Sequence, residues 1–171
     1  MDDLNDERPA RCWYLLHVRP RSEKVVARHL QFFRCWHILL LNKVVRKIQR
    51  RKVVCELPLF PGYLFAKLNS EERLGILRTG HLLRTQTVLD PRRLIHQLRQ
   101  IAHAGRRGKI VRTGPLYTAG ELVRIQAGPF YGIEARVKRD AGGETVVLNV
   151  DLLGQSVEVT LSGADVARCD R

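Results

Sequence analysis

Beyond Ala119 the chain is written in a single period: short β-branched runs punctuated by glycine, a pattern that leaves no room for a helix. The runs cover 122–126, 134–138, 145–150 and 157–161, and Gly128, Gly132, Gly142, Gly143, Gly154 and Gly163 separate or flank them. Val157, Val159 and Leu161 alternate with Glu158 and Thr160, as in a strand with one buried face. That many short strands in roughly fifty residues read as a small barrel. The valines and threonines of 145–161 are restricted in helices and favoured in strands, so this part is expected to remain a barrel when free.

The first two thirds mixes periods. Cys12–Val18 is rich in Trp, Tyr, Leu and Val and reads as a buried strand. Pro20 and Ser22 open a helix with Ser22 as its cap, and Val26, Leu30 and Phe33 give it one apolar face. A strand is expected over 36–41. A hairpin follows, with arms 43–48 and 53–57 joined through Gln49, Arg50 and Arg51. Pro61 and Gly62 precede the strand Tyr63–Leu68, Ser70 caps a short helix, and 82–89 is extended. Asp90 followed by Pro91 starts a third helix, lined on one face by Leu94, Ile95, Leu98, Ile101 and Ala102. Between 104 and 119, glycines interleave with Arg and Lys as in a hydrated linker. The expected division is therefore a domain over 11–108, a linker over 109–117 and a second domain over 118–171.

Charge follows the same division. Residues 1–10 carry a net −3, residues 11–108 a net +16 and residues 109–171 none, which together give the chain its +13. Such asymmetry points to a polyanion for one part and a different partner for the other. Lys43, Arg46, Lys47, Arg50, Arg51 and Lys52 crowd the hairpin, and no acid lies between Glu23 and Glu56. Phosphate binding suits that cluster better than a self-repelling solvated loop.

Catalysis finds no support. There is no glycine-rich phosphate loop, no HExxH and no serine with a base nearby in sequence, so no cofactor and no enzyme activity are expected. Cys12, Cys35, Cys55 and Cys169 form no CxxC pair, and Cys35 with His37 reads as core packing rather than a metal site. The longest aliphatic run, 38–41, is too short to span a bilayer, and the acidic first ten residues lack a signal-peptide core. A cytoplasmic chain with reduced thiols and no membrane partner is the expectation.

Two strings make the reading specific. Trp13-Tyr14-Leu15-Leu16 with Pro20 and Glu23, followed by Pro58-Leu59-Phe60-Pro61-Gly62-Tyr63-Leu64-Phe65, resembles the N-terminal domain of the NusG family. The second string is closest to the form in RfaH-like and UpxY-like paralogues. Gly120-Glu121-Leu122-Val123-Arg124-Ile125 and Gly128-Pro129-Phe130-Tyr131-Gly132 resemble that family's KOW motif. The resemblance runs from residue 11 to about 169, with both motifs in the family's order.

The resemblance implies an α+β N-terminal domain, an antiparallel sheet flanked by helices, tethered to an SH3-like KOW barrel. It implies a transcription elongation factor that binds the clamp helices of the RNA polymerase β′ subunit and suppresses pausing or termination. The matching pocket positions are Tyr14, His17, Phe60, Tyr63 and Phe65, although Tyr63 and Phe65 share a strand face that Leu64 does not, so part of the string is core. The resemblance sets the hairpin cations, with Arg73, against upstream or non-template DNA; Glu71-Glu72-Arg73 replaces a His-Thr-Thr segment that some paralogues hold against the polymerase gate loop. It places Phe130 and Tyr131 where the KOW domain meets a small-subunit ribosomal protein or Rho. The PLFPGYLF form favours an operon-specific antiterminator over a general housekeeping factor coupling polymerase to Rho or the ribosome. A KOW-type RNA-binding or ribosome-associated protein is the rival class, but it would carry its positive charge on the barrel.

Overall fold

The computed structural model describes residues 10–49, 51–107, 109–116, 118–120, 122–125, 131–140 and 143–160. The chain divides into two units, Met1–Leu89 and Asp90–Arg171.

In the first unit, strands β1 (Cys12–Val18), β2 (Trp36–Ile38), β5 (Tyr63–Leu68) and β6 (Leu82–Thr87) form an antiparallel sheet in the order β2-β5-β1-β6. Helices α1 (Glu23–Phe32) and α2 (Ser70–Arg78) complete the unit. Alternation along the central strands sends Leu16, Val18, Leu64, Ala66 and Leu68 to one face, where they cluster with Val26 and Leu30 of α1 and Ile76 of α2. Each fully buried Leu or Val contributes about 1.5–3 kcal/mol relative to exposure, so this layer dominates the unit's stability. The opposite face carries Trp13, Leu15 and His17 on β1, Tyr63, Phe65 and Lys67 on β5, and Trp36 and Ile38 on β2.

Several local expectations are corrected. Strand 36–41 breaks after Ile38, because β2 pairs with β5 whereas the next strand, β3 (Leu41–Ile48), pairs only with β4 (Arg51–Pro58). Arg51 lies in β4 opposite Ile48, which leaves a two-residue loop whose first residue, Gln49, takes a left-handed φ of 46°. Ser22 stands at the α1 N-cap without a side-chain cap bond, and Phe33 is exposed at the other end. The cap of α2 is Asn69, not Ser70: Asn69 Oδ1 accepts from the Glu72 N–H at 2.8 Å, and Glu72 Oε2 accepts from the Asn69 N–H at 2.9 Å.

The second unit contains helix α3 (Pro91–Arg107) and five antiparallel strands, β7 (Lys109–Pro115), β8 (Leu122–Arg124), β9 (Glu134–Asp140), β10 (Gly143–Val150) and β11 (Gln155–Thr160), in the order β7-β11-β10-β9-β8. Asp90 caps α3 as expected, its Oδ1 accepting from the Arg93 N–H at 3.0 Å. The mixed class, with antiparallel sheets, three helices and an all-β C-terminal stretch, matches the expected fold. Most of the expected linker is strand: β7 pairs with β11 from Lys109 to Pro115. Helix α3, in which Leu94, Leu98 and Ile101 are buried, runs close to β10, β7 and β11. Glycine and arginine in this stretch are tolerated because an edge strand needs few apolar side chains.

Candidate functional site

At one end of the sheet's second face, His17 of β1 and Tyr63 of β5 are cross-strand partners, and their rings stack with centroids 4.9 Å apart and 12° between planes. The turn before Tyr63 holds them. Gly62, at φ 83°, accepts from the Val18 N–H at 2.9 Å and donates its own N–H to Glu23 Oε1 at 2.7 Å. Glu23 is a buried carboxylate in the first turn of α1, where the helix dipole also favours a negative group. A cleft of about 640 Å³ opens beside His17, lined by Pro20, Leu57, Pro58, Pro61 and Leu83 together with the charged Arg21, Glu23, Lys24 and Glu56.

The five residues matched to the pocket do not converge. His17 and Tyr63 are together and half-buried. Phe65 lies on their face one pair further in, opposite Leu15 and Ile38, and is 2% exposed. Phe60, whose carbonyl accepts from the Tyr63 N–H at 3.1 Å, is 3% exposed. Tyr14 faces the other way, packing against the α1–α2 layer. Arg73 is beside Tyr14, its guanidinium 5.7 Å from the ring centroid and its Nη1 3.4 Å from Thr85 Oγ1. Glu23 and Gly62 are the supports whose hydrogen bond no local pattern announces, since they lie 39 residues apart.

The β3–β4 ribbon forms its own two-stranded sheet. Its register puts Lys43, Lys47 and Lys52 on one face with the exposed Val45–Val54 pair, and Arg46 and Arg51 on the other. Lys43 meets Glu56 at 4.0 Å, both exposed, an ion pair worth little in water. Arg50 lies outside the described residues.

In the second unit the Ile125 N–H donates to the Ile133 carbonyl and the Gly132 N–H to the Ile125 carbonyl; Gly132 takes a φ of 82°, and Tyr131 beside it is exposed. Phe130 lies outside the described residues. Asp151 joins the barrel to α3, receiving Arg93 Nη2 and Gln97 Nε2, each at 2.6 Å. Among the described residues no cluster of three His, Cys, Asp or Glu could hold a metal, and no helix is long and apolar enough to cross a membrane.

The family model described as "Transcription termination factor nusG" matches residues 11–102, more than half of the chain. The chain belongs to the NusG family. A curated NusG relative, the transcription termination/antitermination protein NusG of Rickettsia bellii (strain RML369-C), is 25% identical over 190 residues, covering 99% of this chain and 97% of its own length. The solved structure "Domain interaction in Thermotoga maritima NusG" matches the fold with a TM-score of 0.51 at 20% identity, over 94% of this chain and 98% of that one. This NusG-family member is thus a transcription termination/antitermination factor.

Proposed function

We propose that this factor acts by binding, docking on elongating RNA polymerase through the His17–Tyr63 end of the first unit and suppressing pausing or termination at a restricted set of operons. The stacked pair beside the apolar cleft carries the reading, because an amphipathic ring pair at the rim of an apolar cleft matches the anatomy of a protein interface hot spot. The occupant is the β′ clamp helices, which the PLFPGYLF string suggests by its resemblance. The bare basic ribbon adds phosphate contacts to upstream or non-template DNA. Tyr131, exposed beside Gly132, meets a ribosomal protein or Rho. Genome-wide occupancy of the factor and polymerase tests the operon restriction: a few loci are expected, and occupancy on nearly every transcribed gene would mark a general factor. Binding of the full chain and its Tyr63→Ala variant to core polymerase tests the docking site, and equal affinities would remove it.

A further inference from the structure

At the far end of the same sheet face from His17, Lys67 of β5 is the cross-strand partner of both Trp36 on β2 and Trp13 on β1. All three side chains therefore leave one face in a row, Lys67 between two tryptophans whose strands lie about 10 Å apart, two strand spacings. Trp36, on the short edge strand, is 73% exposed; Lys67 is exposed and Trp13 half-buried. Just upstream, at the end of α1, Phe32 is 80% exposed and meets Phe33 edge to face at 5.3 Å. Arg34 follows them, exposed and held at a left-handed φ of 54°. Among the described residues neither Arg34 nor Lys67 forms an ion pair. The sequence supplies no acid from Lys24 to Cys55.

Three large aromatics left in water call for a partner. Flat apolar rings interleaved with uncompensated cations complement unpaired bases on a phosphate backbone: the bases stack on the rings and the phosphates lie against the ammonium and guanidinium. Duplex DNA fits poorly, because its bases are already stacked. We propose that the Trp13–Lys67–Trp36 row, with Arg34 two residues before Trp36, is a stacking platform for single-stranded nucleic acid. It is separate from both the ribbon and the cleft beside His17.

The test uses the full chain with Arg46, Lys47, Arg51 and Lys52 changed to Gln, so that the ribbon cannot mask the result. This protein is titrated with an oligothymidylate of about twelve nucleotides while tryptophan emission is followed. Stacking should quench the emission. Trp36→Ala should weaken binding about tenfold, whereas Trp36→Phe, which keeps a ring, should weaken it far less. Lys67→Gln should reduce the slope of log K against log salt by about 0.7. Thermal midpoints should barely move, since these side chains are exposed. Absence of quenching, or equal affinity in Trp36→Ala, would overturn the proposal. So would a Trp36→Ala variant that loses polymerase binding while keeping its oligothymidylate affinity, which would mark the row as a protein interface.

Discussion

Tyr63 and Phe65 stand two residues apart on one face of β5 and answer to different forces. Phe65 is closed off between Leu15 and Ile38, so Phe65→Ala removes a core ring and should cost about 3–5 kcal/mol of folding free energy. For a unit of this size that lowers the thermal midpoint by more than about 12 °C, readable by calorimetry. Tyr63→Ala loses only the stack on His17, about 0.5–1.5 kcal/mol, and should instead weaken polymerase binding by roughly 2 kcal/mol. A larger folding loss in Tyr63→Ala than in Phe65→Ala would reverse these roles. The shared face of the two rings was legible from alternation along the strand. Their depths were not, because depth depends on what covers each position and the period carries no record of it. Cysteine behaves similarly. Cys35 is buried, and burial, reinforced by the nearby Glu72 carboxylate, pushes its thiol above the usual range, whereas Cys12 is exposed. A disulfide-exchange reagent should therefore label Cys12 quickly and Cys35 only on unfolding. A raised folded pKa means the native state holds its proton more tightly than the unfolded chain. Cys35 thus adds stability that is whole below pH 9.0, its ordinary value, and declines as pH rises through the folded pKa. Cys35→Ala should flatten the alkaline limb of a stability–pH curve, and an unchanged limb would refute the assignment.

Among the elements, the ribbon was the easiest to read, yet its strands run over Leu41–Ile48 and Arg51–Pro58, each beginning two residues before the expected arms. Its arms announce themselves by β-branched residues, but a loop of two residues rather than three draws Arg51 into β4 and fixes the faces on which its cations lie. If the ribbon rests on DNA, replacing Arg46, Lys47, Arg51 and Lys52 with Gln should flatten log K against log salt for a duplex-containing elongation complex. The expected change is about 0.7 to 0.9 for every phosphate the ribbon no longer neutralises. An unchanged slope would leave the ribbon a solvated arm. The cap of α2 shows a different limit. Ser70 and Asn69 are both good capping residues, and only the reciprocal bond with Glu72 decides between them. The break after Ile38 was hidden because Leu39, Leu40 and Leu41 prolong the apolar run through a corner where the chain leaves one sheet for another.

At the scale of the whole molecule, composition located the change of character but hid the strand within it. Glycine and arginine made 104–119 look like solvent-exposed tether, yet β7 pairs along β11 from Lys109 to Pro115. A fragment of residues 90–171 should melt cooperatively, and Asp151→Ala, which removes the exposed acceptor of Arg93 and Gln97, should destabilise it by at most about 1 kcal/mol. A fragment of 109–171, stripped of the helix, should melt lower still; equal midpoints for the two fragments would show that α3 adds nothing. Genes for two-part proteins diversify by trading one part for another, and such exchanges survive only where the cut leaves no strand without its partner. With β7 paired along β11, a chimera joined after Pro115 would inherit an edge strand from one parent and the strand it bonds to from the other.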